Sequence, residues 1–360
     1  MKKLWNNQAT RSKMVTYLVV IVAFVIMQTL SSLGMLGSAM KGFLVPVCAY
    51  IVAAVSLNLL VGVCGELSLG HAGFMGVGAF TGIVVAALLK NAVPVNEVRL
   101  AIAMFAGGIM AGVFGFLIGI PTLRLRGDYL AIVTLAFGEI LKNIFGNLYV
   151  GMDAEGIHMS VLSAKFQLLD GGKMILDGPL GATGITRIST FPMGFALILF
   201  TLFIVMNLIH SKEGRAIKAI RDNRIAAESV GINVTAFRMK AFVISAFLAG
   251  MAGVLFGLNM SSLAASKFNF TTSINILVFV VLGGMGNVLG SVISATVLYI
   301  LPEAMRGLYD LRMILYAIVL ILVMLFTWSP KVKQLVQVCT AWAKEKLNGI
   351  FKKKEVGSDG

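Results

Sequence analysis

Apolar runs about as long as a bilayer is thick recur from one end of this chain to the other, and they constrain the fold more than any other feature. They fall near 15–34, 43–62, 68–89, 99–120, 129–150, 191–210, 239–260, 273–287, 288–303 and 311–328. A helix needs roughly 20 predominantly apolar residues to cross ~30 Å of hydrocarbon. No water reaches that layer, so each crossing segment must satisfy its own backbone, as a helix does. The sequence therefore predicts an all-α fold: a polytopic transmembrane helix bundle of about ten spans, within a range of nine to eleven. The eighth and ninth runs are short, and Gly283-Gly284-Met285-Gly286-Asn287 joins them as either a tight turn or a helix break. Of the 360 residues, 58% are hydrophobic and 13% charged, against ~25% charged in a soluble domain. A soluble enzyme could not cover its surface with so few polar groups, and a disordered chain would carry more charge and less apolar residue.

The formal charge is +14. In a soluble protein that would suggest nucleic acid. Among membrane spans, basic residues collect on the cytoplasmic side, so no nucleic-acid partner is expected. With ten spans and the N-terminus inside, 20 Lys and Arg fall on the inner side and 9 on the outer, which favours N-in and C-in. The run after Lys2, Lys3, Arg11 and Lys13 is longer than a signal-peptide core and reads as an uncleaved first span. The expected organisation is an N-terminal cytoplasmic tail (1–14), a transmembrane domain (15–328) and a basic cytoplasmic tail (329–360). Within the domain lie an outer loop, 151–190, and an inner loop, 211–238. The outer loop carries Asp153, Glu155, Asp170 and Asp177 among Gly and Pro pairs, which suggests turns and a short hairpin. A connection this long reads as a lid or docking surface. The cysteines, Cys48, Cys64 and Cys339, have no disulfide or metal spacing.

Three motifs stand out. The first, Gly65 to Phe80, includes Gly65-Glu66-Leu67-Ser68-Leu69-Gly70-His71-Ala72-Gly73. Its glycines suit close helix packing, as do the pairs Gly78/Gly82, Gly108/Gly112, Gly253/Gly257 and Gly286/Gly290. The sharper reading is a broken helix start whose N–H groups face a solute path and favour a carboxylate. Ser68, Gly70, His71 and Gly73 would then line that path. No further ligand stands at metal spacing from His71. The second motif runs from Gly214 to Asn233. Asp222 or Asn223 suits an N-cap and Gly231 a C-terminal cap, so a short helix is expected along the inner membrane face. A basic helix resting on headgroups is one reading. The small residues Ala226 and Ala227 favour docking into a protein cleft instead. The third motif, Val281 to Gly290, contains Gly283, Gly284, Gly286 and Asn287, and reads as a structural turn or as a solute-lining break.

Glu139 and Lys142 are three residues apart inside a predicted span and can pair on one helical face. A structural ion pair is the plainer account; a proton or sodium site is the alternative. There is no phosphate-binding loop, zinc-protease motif or nucleophile elbow, so the chain is expected to be no enzyme and to hydrolyse no nucleotide by those routes.

Together these motifs resemble the permeases of branched-chain amino acid ABC importers, the M-type subunit in particular. The three motifs occur in that family's order, over roughly residues 45–330. The Ala-Ala-Glu…Gly loop is similar to one that docks into the ATPase subunit, which implies coupling roles for Arg215, Arg221, Asp222, Asn223, Ala226, Ala227, Glu228 and Gly231. The resemblance also implies a second, homologous permease forming a heterodimer, two ATPase subunits and an extracytoplasmic solute-binding protein. No cofactor is expected on this chain, ATP and Mg belonging to the partner subunits. The implied cargo is leucine, isoleucine or valine, carried inward across a bacterial cell membrane. Urea, amides or another small solute on the same architecture, or a gradient-driven transporter using Glu139, are the alternatives.

Overall fold

The computed structural model describes residues 8–34, 37–125, 127–153, 156–161 and 172–305, with 314, 317, 318, 320 and 321 besides. The chain divides into two compact units, residues 1–300 and 301–360, and the architecture below is that of the first. Among the described residues, seven helices are long and apolar enough to cross a membrane. The first four are α1 (Gln8–Ser32), α2 (Ser38–Asn58, continued by a π-helical turn, Leu59–Cys64), α3 (His71–Leu88) and α4 (Asn96–Thr122). The fifth and sixth are α5 (Asp128–Gly146) and α6 (Phe191–His210). Two short helices follow, α7 (Lys212–Asp222) and α8 (Arg224–Ser229), before the seventh long one, α9 (Val234–Gly257). The helices α10 (Phe270–Gly283) and α11 (Val288–Ala304) have 14 and 17 residues.

These apolar helices follow the first nine predicted runs. As the sequence suggests, the turn Gly284–Asn287 leaves the eighth and ninth at 14 and 17 residues, short of the ~20 of a full crossing. The tenth run, 311–328, lies largely outside the described residues. So do the tail 329–360, residues 1–7, Arg126, and Glu155, Asp170 and Gly171 of the long loop.

The expectation of an all-α fold needs a correction at the long loop. Five strands form an antiparallel sheet in the order β2-β1-β3-β4-β5. They are β1 (Tyr149–Asp153), β2 (Gly156–Ser160), β3 (Lys173–Asp177), β4 (Ala182–Thr183) and β5 (Ser262–Leu263). The first four come from the loop itself. The fifth comes from the α9–α10 connection, with Ala182 opposite Leu263. Val150, Leu176, Ala182 and Leu263 are buried, so one face of the sheet is covered.

At the centre, α3, α4 and α9 pack most closely. Their glycines face one another's backbones: a methyl group on Gly78 would run into the Gly250 carbonyl, and one on Gly253 into that of Met75. Backbones approach this closely where lipid offers no hydrophobic drive and dispersion must hold helices together. Gly253→Val is therefore expected to destabilise the protein by about 1–3 kcal/mol or more, read by thermal unfolding in detergent. Gly112→Ala, whose nearest neighbours would stand 3.7 Å away, serves as a control with little change. Outward, Leu18, Val25, Ile109, Val113, Phe116 and Phe203 present an aliphatic surface suited to lipid.

The connections gather at two ends. At one lie Gly65, the α4–α5 turn, α7 with α8, and the turn 284–287, tied together by hydrogen bonds from Arg221, Arg238 and Gly286. The sheet occupies the opposite end.

Candidate functional site

The α7–α8 unit is built by caps. Ser211 Oγ accepts from Gly214 N at 3.0 Å to start α7. Asn223 ends it by turning extended (φ −155°) and starts α8, its Oδ1 accepting from Ala226 N at 3.1 Å. Of the two candidate N-caps, Asn223 takes the position and Asp222 closes the preceding helix. Gly231 (φ +84°) ends α8. Its N–H donates to Glu228 O, and Ile232 N to Ala227 O, the paired bonds of a left-handed helix stop that glycine adopts most readily. Ile220, Ala227 and Val234 form a small core beneath, with Ile232 and Phe237 against it.

This arrangement changes the expected role of the alanines. Ala227 points into that core and is 3% exposed, so it offers nothing to a partner; Ala226 is exposed. The outward apolar groups are Ile225 and Val230, 80% and 75% exposed. Arg215 and Asp222 are also exposed, and Arg224 pairs with Glu228 one turn on at 3.0 Å. Arg221 turns inward instead: Nη1 donates to Gly62 O at 2.6 Å, while Nε and Nη2 reach Asp222 Oδ1.

The α2–α3 connection is a broken helix inside the bundle. The π-helical turn ends at Gly65 in the left-handed region (φ +77°). The chain then returns until α3 starts at His71, whose Nε2 lies 2.8 Å from Ser56 Oγ. Ser56 Oγ also lies within hydrogen-bond reach of Ala53 O, to which it donates. The break is stitched to its neighbours: Leu69 N donates to Thr134 Oγ1, and Ala72 N to Ser273 Oγ at 3.0 Å. Gly70 and Gly73 lie against Thr134 and Gly138 of α5. Ser68 and His71 are fully buried, and their Oγ and Nδ1 have no partner among the described residues. The helix start is thus present, but two of its leading N–H groups are engaged, Ala72 N by Ser273 and Gly73 N by Gly70 O.

The third motif forms a hairpin turn between α10 and α11. Asn287 N donates to Gly284 O, and Asn287 Oδ1 accepts from Gly290 N, capping α11. Gly283 and Gly290 touch backbone to backbone. Gly286 reaches across to α2, its N–H donating to Asn58 Oδ1 at 2.8 Å.

Glu139 and Lys142 do pair. Glu139 Oε1 also accepts from Phe270 N at 3.1 Å, at the start of α10. A carboxylate held by an ammonium group and a helix N-terminus has a structural occupation. Of the same two helices, α5 leaves Asn143 exposed and α10 leaves Asn275 exposed, and the pair itself is half-buried. Polar groups on the outside of spans seldom face lipid.

Two charges went unread in the sequence. Glu66 lies within the first motif and Arg238 counts there as one more inner-loop cation. In the structure they form a buried ion pair of 2.5 Å, with side chains 16% and 3% exposed. Arg238 Nη1 also donates to Leu123 O, so the pair joins the α2–α3 break, the end of α4 and the start of α9. Burial raises the Glu66 carboxyl above its ordinary range, and Arg238 draws it part of the way back. Only the spatial meeting of residues 172 positions apart reveals the pair.

At the opposite end a cleft of about 290 Å³ opens between α3 and the sheet, with Ile83, Ala87, Ile175 and Ile185 as walls and Lys90 and Asp153 at its edge.

Residues 39–326 match the model of a family described as "Branched-chain amino acid transport system / permease component". The chain is 33% identical over 292 residues to the high-affinity branched-chain amino acid transport system permease protein LivM of Salmonella typhimurium, covering 78% of this chain and 67% of that protein. It is 25% identical over 264 residues to LivH of the same organism, covering 72% and 82%. Over 182 residues it is 27% identical to the autoinducer 2 import system permease protein LsrC of an Enterobacter species, covering 45% and 51%. No solved structure matches. With its apolar helices and this match over most of its length, the chain is a multi-pass membrane protein belonging to the branched-chain amino acid transport permease family.

Proposed function

We propose that this chain is the transmembrane permease subunit of an ATP-driven ABC importer that carries leucine, isoleucine or valine inward across a bacterial cell membrane. The observation that carries the reading is the α7–α8 unit. A short helix capped at both ends stands on the basic end of the bundle and holds Ile225 and Val230 out into solvent. A helix meant for headgroups would sink such side chains into lipid and ring them with cations; here Asp222, Glu228 and Arg224 surround them with both signs of charge. That mixture suits a protein cleft, and the cleft belongs to one of two ATPase subunits that bind the ATP and Mg. Arg215, Asp222, Asn223, Ala226, Glu228 and Gly231 shape the docking face, and Arg221 joins it to the spans. The basic end then faces the cytoplasm, and the sheet and its cleft receive an extracytoplasmic solute-binding protein.

A second permease covers the polar face of α5 and α10. Similarity to both LivM and LivH, two permease proteins of one organism, supports such a pairing. The solute passes between the two subunits, beside Glu139, Lys142, Asn143 and Asn275, and the buried Ser68–Gly73 break and the 283–287 turn support that surface from behind. The double engagement of Glu139 speaks against a gradient-driven transporter that uses it as an ion site. The cargo follows that of LivM, a branched-chain amino acid permease; the LsrC likeness makes another small solute the competing case.

The test is uptake into proteoliposomes. With partner permease, ATPases and binding protein present, labelled leucine is expected to accumulate only when ATP is supplied, and this chain alone is expected to give none. Accumulation by the chain alone under an ion gradient would overturn the proposal. Uptake of a different solute, with leucine excluded, would keep the mechanism and replace the cargo.

A further inference from the structure

Asn58 is the one asparagine in an apolar stretch of α2, between Leu57 and Leu59, and it is fully buried. Its Nδ2 has no partner among the described residues. An unpaired buried amide is costly where leucine would be at ease, so the side chain is retained for something other than packing. Its Oδ1 accepts from Gly286 N in the α10–α11 turn at 2.8 Å. One turn further along α2, Gly62 has no room for a side chain, because the Asn58 carboxamide and the Gly286 backbone fill that space. The Gly62 carbonyl, in the last turn of the span where the helical ladder runs out, accepts from Arg221 Nη1 at 2.6 Å. Three elements therefore meet at one point: the π-helical end of α2, the turn 284–287 and helix α7. π-helical turns are frequent at functional sites.

We propose that Asn58 is the positioning residue of a three-way joint. Its carboxamide holds the α10–α11 turn to the end of α2, so that a movement of α7, delivered by Arg221 at the Gly62 carbonyl, carries that turn with it. The inference rests on the importer reading, and it names the route by which the docking face reaches the spans: from α8 through Asn223 to Arg221, then Gly62, Asn58 and Gly286.

Two measurements test it. In the reconstituted importer, Asn58→Leu is expected to keep the melting temperature, the association with the ATPases and ATP hydrolysis. Solute moved per ATP should fall about fivefold, the population shift that one hydrogen bond controls. Asn58→Asp, which keeps an acceptor oxygen at the same place, should restore transport to within about twofold. Full transport by Asn58→Leu overturns the joint. So does loss of transport that Asn58→Asp leaves unrepaired. The second measurement needs no change at Asn58, and so stands even if those variants do not fold. Spin labels at Lys212, exposed at the start of α7, and Met285, 54% exposed, should keep one separation with and without trapped ATP, while each shifts relative to a label at Leu180, which is 64% exposed. Independent movement of Lys212 and Met285 overturns the joint. An unmodified chain that transports without ATPases overturns the importer reading itself, an outcome distinct from all of these.

Discussion

Arg238→Met is expected to lower the stability of the protein by about 3–5 kcal/mol, the usual consequence of stranding one member of a buried ion pair. Glu66 would be left 16% exposed without the guanidinium that now contacts it, in surroundings that already raise its carboxyl. Glu66→Gln should also be damaging, because Arg238 is 3% exposed and its Nε has no partner among the described residues even in the intact pair. The double variant Arg238→Met with Glu66→Leu should recover most of the loss, since it buries no charge. Unfolding in detergent, run as a double-mutant cycle, checks this; simply additive losses would show that the two residues do not act as a unit.

The second large effect is expected at the docking face. Ile225→Glu together with Val230→Glu should reduce ATP-driven uptake on the order of 100-fold, the scale of losing two apolar anchors at the centre of an interface. Both side chains stand in solvent, so folding and membrane level should hold to within about 0.5 kcal/mol. Co-purification of the ATPases reads the cause directly. If they still bind and uptake persists, the docking face lies elsewhere. If they still bind and uptake fails, Ile225 and Val230 act in transmission rather than in attachment.

Much of this was legible in the sequence, for local reasons. The apolar runs give the helices because burial in lipid leaves the backbone no other partner. Asn223 and Gly231 frame α8 because capping depends on two or three neighbouring residues. The glycine stripes of α3 and α9 do pack against each other, as small residues at helical spacing suggest. What escaped the sequence is non-local. The sheet was read as a hairpin because β5 lies about eighty residues beyond β4 and is only two residues long. The Glu66–Arg238 pair was hidden because the sequence puts Arg238 at the end of a basic inner loop, where a cation needs no special explanation; in the structure it lies in the first turns of α9. Ala227 was assigned outward because residue type alone does not say which way a short helix is turned; Ile220 and Val234, on the helices before and after, decide that.

The strand pairing also carries a consequence for how the protein is made. β4 and β5 meet only after α6 to α9 have been threaded between them. At roughly 5–20 residues per second of synthesis, the free edge of β4 waits several seconds for its neighbour. During that interval the growing polypeptide presents an unpaired strand to whatever surrounds it, a situation that invites mispairing. This end of the molecule is therefore completed late, after seven of the apolar helices have left the ribosome.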